Sequence, residues 1–408
     1  MRYTIIGSAF DGNKGAASML EAAIQGIVER DPDARFFLLS MYPQQDRQQN
    51  RHSAVEVINA RPFRLGLVIN SLALLYVLRP LRPLLRRCRA IQAIADSDVY
   101  IDQGGITFVD GREKFLLYNL ASILPAIFIG VPVVKCSQAM GPFHSWLNRL
   151  AARACLPRLN AVFARGSVTR GFLDSLQLSN VSDAADLAFC LRPSDQDMSR
   201  VEALLMEQGV VRDERDRIIV LPSEVVRKKC HACGIDYVSE VTKFVECISG
   251  RVSVLLVPHS IRMHTNKSHN NDVPLVKEIA ARLADRKGVS AFIRSVNAAE
   301  MRCLLSTADL IVTSRFHGMV SALASCVPVH VVGWSHKYKE VMDAFGIDGY
   351  ASDSKDLSSS QLCSAFERLE ADAEGVRQSI RNRLEGVTQS AAKQLDVIVD
   401  VAADRASR

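Results

Sequence analysis

Residues 309–337, DLIVTSRFHGMVSALASCVPVHVVGWSHK, decide the predicted fold of this chain. The stretch begins with a short apolar run rich in β-branched residues, which is typical of a buried parallel strand. Arg315 and His317 follow at once, and the small apolar run 319–325 then suits a tightly packed helix. A strand that leads directly into a helix places the intervening residues at the carboxyl edge of the sheet, where open α/β sheets bind ligands.

The same stretch predicts an anion pocket beside an imidazole. Arg315 can bind a carboxylate or phosphate through two parallel hydrogen bonds, and the free N–H groups of the helix favour the same negative charge. A second predicted strand, residues 328–333, leads to His336 and Lys337 at the same edge.

Composition indicates a two-domain globular protein. The chain has 408 residues, and single hydrophobic cores stop growing at roughly 250 to 300 residues. The net charge of +6 is mild and the basic residues are interspersed with acidic ones, so nucleic acid is not an expected partner. The chain begins directly with a predicted strand, and its ten cysteines lie singly, mostly in apolar runs. These features predict a cytoplasmic protein with reduced thiols.

Predicted strands in the first half also end in polar residues or glycine. The loop between the first strand and the first helix, residues 8–16, reads SAFDGNKGA and matches neither a dinucleotide fingerprint nor a phosphate-binding P-loop. Its glycines let backbone N–H groups approach an anion or a sugar, although a tight turn would use the same residues. Because several predicted strands end in polar residues or glycine, the pattern predicts a doubly wound sheet with its ligand-binding residues along one edge. The candidate ligand-binding residues at these strand ends are Asn13, Gly15, Asp102, Gly104, Gly105, Ser137, Gln138, Gly141, His144 and Arg165.

The polar residues 41–53 predict a loop, and the serine-rich, acidic residues behind Pro193 predict a linker near residue 195. The second half then restarts the alternation of strands and helices, with His259 directly after one predicted strand. We therefore expect an N-terminal Rossmann-like domain over 1–195 and a second one over 196–370. A C-terminal helix over 371–408 has the length to cross back to the first domain. Two doubly wound domains facing a central cleft are the predicted α/β architecture.

Residues 57–95 contain seven arginines and no acidic residue. Within them, residues 65–78 form an uncharged and largely apolar run that is shorter than the ~20 residues of a bilayer span. Two interpretations remain open. The segment lies in a membrane interface, where it would serve a lipid-carried substrate, or it is a long core helix with a solvated basic end.

Roughly residues 5–350 resemble the polysaccharide pyruvyl transferase family, and the RFHG stretch with its following proline and lysine is the most specific part. The resemblance implies a GT-B-like fold and transfer of the enolpyruvyl skeleton of phosphoenolpyruvate onto two hydroxyls of a sugar, giving a cyclic ketal and phosphate. Ala16 stands where the family usually has an acidic residue, which puts the role of that acid in doubt for this chain. The strings that carry the resemblance are GNKGA, DQGGITFVD, SQAMGPF, ARGSVTRGFL, DLAF, PHS, NDVPLV and TSRFHGMVSALASCVPVHVVGWSHKYKEVMDAFGI.

Chemistry assigns roles within that reaction. The phosphate and carboxylate of phosphoenolpyruvate require cations, which Arg315 and Lys337 supply. His317 is the expected general acid, because an adjacent arginine-bound dianion favours its protonated form. Asp102 is the expected base for the sugar hydroxyl, and His144 and His259 are weaker candidates for acceptor contacts.

No cofactor and no metal are expected, because side chains supply the positive charge. Cys230 and Cys233 form a single CxxC without the second ligand pair that zinc usually needs.

Other functions and plainer roles remain open. The chain could be a GT-B glycosyltransferase that uses a nucleotide sugar, or a non-catalytic carbohydrate- or anion-binding protein on the same fold. Arg315 could instead be a surface or inter-domain salt-bridge residue, and Arg165 could either contact the donor or only pair across the domain interface.

Overall fold

The computed structural model describes all residues except Val211, His264, residues 266–270, Trp334, Ser335 and Arg408, together with the side chain of His336. The described strands are β1 (Arg2–Ile6), β2 (Gly12–Asn13), β3 (Arg35–Ser40), β4 (Val55–Asn59), β5 (Val99–Asp102), β6 (Ile106–Val109), β7 (Val133–Gly141), β8 (Ala161–Ala164), β9 (Val181–Asp183), β10 (Arg217–Leu221), β11 (Ser253–Leu256), β12 (Ser260–Ile261), β13 (Val289–Ala291), β14 (Leu310–Thr313), β15 (Val329–Gly333) and β16 (Ala351–Asp353).

The α-helices are α1 (Lys14–Arg30), α2 (Pro43–Gln49), α3 (Asn70–Leu75), α4 (Arg82–Leu85), α5 (Arg89–Ala95), α6 (Leu116–Ile129), α7 (Trp146–Cys155), α8 (Ser167–Asp174), α9 (Asp195–Glu207), α10 (Glu224–Ala232), α11 (Tyr237–Ile248), α12 (Val273–Arg282), α13 (Ala298–Ser306), α14 (Phe316–Ala324), α15 (His336–Ala344), α16 (Ser359–Ala371) and α17 (Ala373–Ala406).

The chain divides into two compact units. The N-terminal unit comprises Met1–Asp11, Ala16–Leu191 and Thr388–Arg408, and the C-terminal unit comprises Gly12–Gly15 and Arg192–Val387. Each unit is built on a parallel sheet whose central strands are apolar and buried, as expected when helices cover both faces.

In the N-terminal unit the main path of the sheet runs β4-β3-β1-β5-β7-β8-β9, and β6 also pairs with β7. The register sets Ile6 beside Asp102, and Asp102 beside Lys135. Because neighbouring parallel strands in register point their side chains the same way, Asp102 and Lys135 meet at this edge. The last part of α17 completes the unit, and its Gln394 accepts a hydrogen bond from the Ser137 amide at 2.6 Å.

In the C-terminal unit the sheet order is β13-β11-β10-β14-β15-β16, with every neighbouring pair parallel. A separate two-stranded antiparallel ladder joins β2 to β12. The early stretch Gly12–Gly15 thereby becomes part of this unit.

Two predictions of irregular structure are wrong. The acidic, serine-rich residues behind Pro193, predicted to be a linker, form the helix α9, which begins at Asp195 behind the capping residue Ser194. Residues 41–53 contain α2, which begins at Pro43, a residue whose fixed φ suits the first helical position. Its Asp46 is buried and accepts hydrogen bonds from the Asp11 amide at 2.9 Å and from the Ser40 hydroxyl, so a polar helix is held by polar contacts.

The long core helix considered for residues 57–95 is broken into a π-helix (Arg64–Ile69), α3, a 3₁₀ turn (Arg79–Leu81), α4 and α5. Pro80 and Pro83 cannot donate the backbone hydrogen bonds that a continuous helix needs. Within the described residues, no single helix has both the length and the apolar character to cross a bilayer. One bent pair, Arg64–Leu75 and Arg79–Leu85 with 118° between its members, meets those criteria by length and composition alone.

Candidate functional site

Arg315 and His317 lie at the carboxyl edge of the C-terminal sheet. The strand β14 ends at Thr313 and α14 begins at Phe316, so Arg315 takes the position just before the helix with an extended backbone, φ −112° and ψ 125°. The Thr313 hydroxyl accepts a hydrogen bond from the Arg315 amide at 3.0 Å and fixes this corner. The apolar strand and the small-residue helix thus present arginine and imidazole together.

A buried carboxylate, Asp272, holds three strand-end loops of this unit. Its Oδ2 accepts a hydrogen bond from the Ser260 amide at 2.9 Å, and its Oδ1 accepts one from the Glu224 amide at 3.0 Å. The guanidinium of Arg315 donates to the same Oδ1 through Nη2. Asp272 is 0% exposed and the Arg315 side chain is 13% exposed, so this ion pair orients Arg315 from its buried side.

Sequence reasoning missed Asp272. The signal was present in the string NDVP, where Asp272 stands directly before the helix α12 and a proline occupies the first turn. That arrangement predicts a helix start. It does not indicate that the carboxylate turns away from its own helix toward an arginine.

The stretch Gly12–Gly15 brings a second cation to the site. In the β2–β12 ladder Asn13 faces Ser260, and the Lys14 amide donates to the His259 carbonyl at 3.4 Å. The Asn13 side chain accepts a hydrogen bond from the Gly15 amide at 3.1 Å. Lys14, which sequence reasoning also missed, is only 1% exposed, although lysine is rarely buried unless it serves a partner.

Gly15 is required by close packing against His317. A Cβ atom placed on Gly15 would collide with the His317 imidazole. Only glycine lets the backbone of this stretch pass so near the ring, so the predicted site residues Gly15 and His317 are neighbours in space.

The electrostatics around His259 indicate a site for a negative charge. Burial, followed by the positive charges of Arg315, His317 and Lys14, lowers the pKa of His259 well below its usual value. His259 is therefore neutral at pH 7. Its Nε2 atom and the Nε atom of Arg315 are both buried, and neither has a hydrogen-bond partner within the described part of the chain. Buried polar atoms without partners are uncommon and often mark the place of a ligand.

Lys337 lies beside the first residue of α14. Its Nζ atom is 4.9 Å from the ring centre of Phe316 and 5.3 Å from that of Tyr338. Phe316 in turn packs edge-on against His317, with 5.0 Å between ring centres. His336 begins α15, and its side chain lies outside the described atoms. The C-terminal unit therefore brings together Arg315, His317, His259 and the Gly12–Gly15 stretch, with Lys337 one ring away from His317.

Asp102, in the N-terminal unit, belongs to a closed hydrogen-bond network. The Asp102 side chain is 2% exposed and accepts hydrogen bonds from the fully buried Lys135 ammonium and, at 3.0 Å, from the Gly104 amide. Its backbone carbonyl accepts one from the Gln138 side chain at 2.9 Å. These contacts fix the loop that follows β5, and a catalytic role for Asp102 stays a prediction.

Arg165 is paired within its own unit. Its guanidinium donates to Asp186 at 2.7 Å and to the Gly105 carbonyl at 3.2 Å, and the Arg165 amide donates to the Gln138 carbonyl. These bonds tie the ends of β5, β7 and β8 together.

The other predicted residues of this unit lie near the end of β7. Gly141 is the last residue of that strand and packs against Phe172, while the exposed His144 donates its backbone N–H to Asp110 at 2.6 Å. Across the residues that the structure describes, no group of three or more histidine, cysteine, aspartate or glutamate side chains is arranged to hold a metal ion.

Comparisons with known proteins agree with this architecture. The model of the family described as polysaccharide pyruvyl transferase matches residues 13–336. No curated protein sequence matches the chain significantly.

Several solved structures share the fold at low identity. UDP-GlcNAc 2-epimerase from Neisseria meningitidis, bound to UDP-GlcNAc, has a TM-score of 0.62 and 11% identity, covering 98% of this chain and 100% of its own. The Methanocaldococcus jannaschii UDP-GlcNAc 2-epimerase in complex with UDP-GlcNAc and UDP has a TM-score of 0.55 and 13% identity, covering 90% of this chain and 92% of its own. Anabaena HepE in complex with UDP and glucose has a TM-score of 0.55 and 16% identity, covering 100% of this chain and 98% of its own. These neighbours confirm the predicted GT-B-like fold of two Rossmann-like domains.

Proposed function

Because the chain belongs to the polysaccharide pyruvyl transferase family, we propose that it transfers the enolpyruvyl skeleton of phosphoenolpyruvate onto two hydroxyls of a sugar. The products are a cyclic pyruvate ketal and inorganic phosphate. The observation that supports this donor is the convergence of Arg315, His317 and Lys14 on the buried His259.

The charge of this cluster suits phosphoenolpyruvate. Arg315, which pairs with Asp272, lies in the same unit as the buried Lys14 and, one ring farther away, Lys337, so this unit places several positive charges near one another for a multiply charged donor. The buried Nε–H of Arg315 remains as a donor for a carboxylate or phosphate oxygen. A neutral sugar alone would not call for so many cations in one buried place.

The electrostatics separate the two histidines. The proposed reaction starts with transfer of a proton to the methylene carbon of the donor. A sugar hydroxyl oxygen then bonds to the central carbon and loses its proton to a base, which passes it to the phosphate as the carbon–oxygen bond to phosphate breaks. The second hydroxyl bonds to the same carbon and closes the ketal, and its proton restores the acid. His259 is held neutral and carries no proton to give at pH 7, so His317 is the proposed acid and His259 a hydrogen-bonding residue. Asp102 remains the proposed base for the acceptor.

The first experiment is a calorimetric titration with phosphoenolpyruvate. We expect binding by the wild-type protein and a Kd at least about tenfold higher for Arg315→Ala, because a hydrogen bond to a charged group contributes about 1.5–3 kcal/mol. His317→Ala should retain binding within several-fold while losing phosphate release in the presence of an acceptor saccharide. Arg282→Ala, which removes a half-exposed arginine from the same unit, is the matched control and should bind normally.

Titration also tests the competing functions. The structural neighbours bind UDP-GlcNAc or UDP, which makes a nucleotide-sugar glycosyltransferase the second candidate. Binding of UDP-GlcNAc together with indifference to phosphoenolpyruvate would support that candidate and overturn ours. Donor binding without phosphate release from any saccharide would instead favour a non-catalytic binding protein. Since side chains supply the positive charge, we also propose that no metal or other cofactor takes part, so excess EDTA should leave phosphate release unchanged.

A further inference from the structure

The N-terminal unit exposes an unusual number of large apolar side chains between residues 61 and 87, which we call the apolar-basic segment. Leu74 and Leu78 are 55% and 53% exposed, and Phe63 is 74% exposed. Scattered apolar side chains are normal on a protein surface, but a contiguous group of this kind marks an interaction site. The exposed apolar residues of the segment are Phe63, Leu67, Val68, Leu74, Leu75, Val77, Leu78 and Leu84.

The segment is held firmly on its other side. Leu65, Ile69, Ala73 and Tyr76 are buried in the core of the N-terminal unit. The side chain of Asn70 donates to the Ala121 carbonyl of α6 at 3.0 Å, which fastens the segment to that helix. The exposed leucines are therefore presented by an ordered scaffold that is apolar on both faces.

Positive charge surrounds the exposed leucines. Of the seven arginines between residues 57 and 95, Arg86 pairs with Asp96 and Arg89 with Glu56. Four exposed arginines form no ion pair with any described carboxylate, namely Arg61, Arg64, Arg79 and Arg87. An apolar surface flanked by arginines without carboxylate partners is complementary to a bilayer surface, which has anionic headgroups above an apolar acyl-chain region.

Neighbouring helices extend the apolar character. α6 packs against α3 and exposes Leu117, and α7 packs against α6 and exposes Trp146. A tryptophan that is 70% exposed is uncommon on a water-facing helix and typical of a membrane interface.

We propose that the apolar-basic segment docks the N-terminal unit on an anionic lipid bilayer, lying in the interface with its leucines among the acyl chains and its arginines at the headgroups. If the acceptor saccharide is lipid-carried, docking would bring the enzyme to it, and this last point alone rests on the proposed function. Docking itself needs no catalysis.

The test is flotation of the full-length protein with vesicles of phosphatidylcholine alone or with phosphatidylglycerol added. We expect flotation with the anionic vesicles and much less with the neutral ones. Arg64→Gln combined with Arg79→Gln should lower the partition coefficient roughly 25-fold, since each basic residue near an anionic surface contributes about a fivefold factor. Lys277→Gln combined with Lys287→Gln removes the same charge from exposed sites of the C-terminal unit and should leave flotation unchanged.

Leucine substitutions test the apolar part. Leu74→Ser combined with Leu78→Ser should abolish flotation, while Met206→Ser, at a residue that is 76% exposed in the C-terminal unit, should not. Circular dichroism of each variant checks that the fold is retained. Absence of flotation by the wild-type protein would overturn the proposal. The proposal would also be overturned if analytical ultracentrifugation showed that the wild-type protein self-associates and the leucine variants do not. The apolar-basic segment would then be covered by a second copy of the chain. A protein inactive toward phosphoenolpyruvate should still float, so the two proposals can fail separately.

Discussion

The imidazole of His317 occupies the space that a side chain at residue 15 would need. Two segments about three hundred positions apart in the chain thus depend on each other at the level of a single methyl group. This relationship provides the most direct test of the site, because it connects a glycine of the first loop to the proposed general acid.

Gly15→Ala should displace His317. Because a misplacement of about 1 Å can lower a rate roughly 100-fold, we expect phosphate release to fall by about that factor. The imidazole signals of His317 in NMR spectra should shift as well, whatever reaction the protein catalyses. Gly349→Ala adds the same methyl group where the structure is open, and it should change neither readout. Equal turnover by the two glycine variants would contradict the packing described above.

Asp272→Ala should be strongly destabilising. It leaves a largely buried guanidinium and the amides of Ser260 and Glu224 without their acceptor, and breaking a buried ion pair costs about 3–5 kcal/mol. Arg315→Ala should cost less, because the carboxylate keeps both amide donors. Urea denaturation followed by circular dichroism measures both changes. Asp285→Ala, at an exposed position of the same unit, is the control. A loss for Asp272→Ala no larger than for this control would show that Asp272 does not hold the three loops.

Asp102→Asn should separate catalysis from donor binding. The amide can still accept the hydrogen bond from the Gly104 amide, but it cannot take a proton from a sugar hydroxyl. Because it also leaves the buried Lys135 ammonium without a countercharge, circular dichroism is used to check that the variant is folded. If Asp102 is the base, turnover should fall about 100-fold or more while the Kd for phosphoenolpyruvate stays within about twofold. Asp183→Asn, at an exposed carboxylate of the same unit, provides the comparison. Retention of more than a tenth of the wild-type turnover would assign Asp102 a structural role with Lys135.

His330 should make stability depend on pH. Burial, and secondarily the charge of Arg368, lowers its pKa from 6.5 to about 4. Below pH 6.5 the unfolded chain takes up a proton that the folded chain does not. The free energy of unfolding should therefore decrease as the pH is lowered from 6.5, by about 3 kcal/mol at pH 4. His330→Gln should remove this part of the pH dependence, and His231→Gln, at an exposed position, should not. Parallel acid branches for wild type and His330→Gln would refute the assignment.

Strand ends were the most predictable part of the molecule. β15 (Val329–Gly333) falls within the predicted strand 328–333, and Arg315 lies between a strand and a helix as the pattern of residues 309–325 indicates. Both results follow from the same physics, since a short β-branched apolar run that stops at polar residues has few alternatives to a buried parallel strand. Where local composition misleads, as in the polar helix α2, the structure relies on a buried carboxylate, Asp46, that composition does not reveal.

The assembly of the site could not be read from local patterns. Lys14 reaches His259 through a two-residue ladder between β2 and β12, whose partners lie some 250 positions apart. No periodicity encodes so short a pairing. The ion pair of Arg315 with Asp272 is equally non-local, and only the folded chain shows that the arginine has a carboxylate partner of its own. Residue types at strand ends therefore suggest the chemistry, while tertiary contacts select which of them meet.

The inclusion of Gly12–Gly15 in the C-terminal unit means that this unit is not a contiguous part of the gene. A chimera that exchanges only residues 192–387 between relatives would combine Arg315 and His317 from one protein with the Gly12–Gly15 stretch of the other, and these two parts would not have evolved together. Such exchanges should give an active protein only when residues 12–15 are exchanged together with residues 192–387.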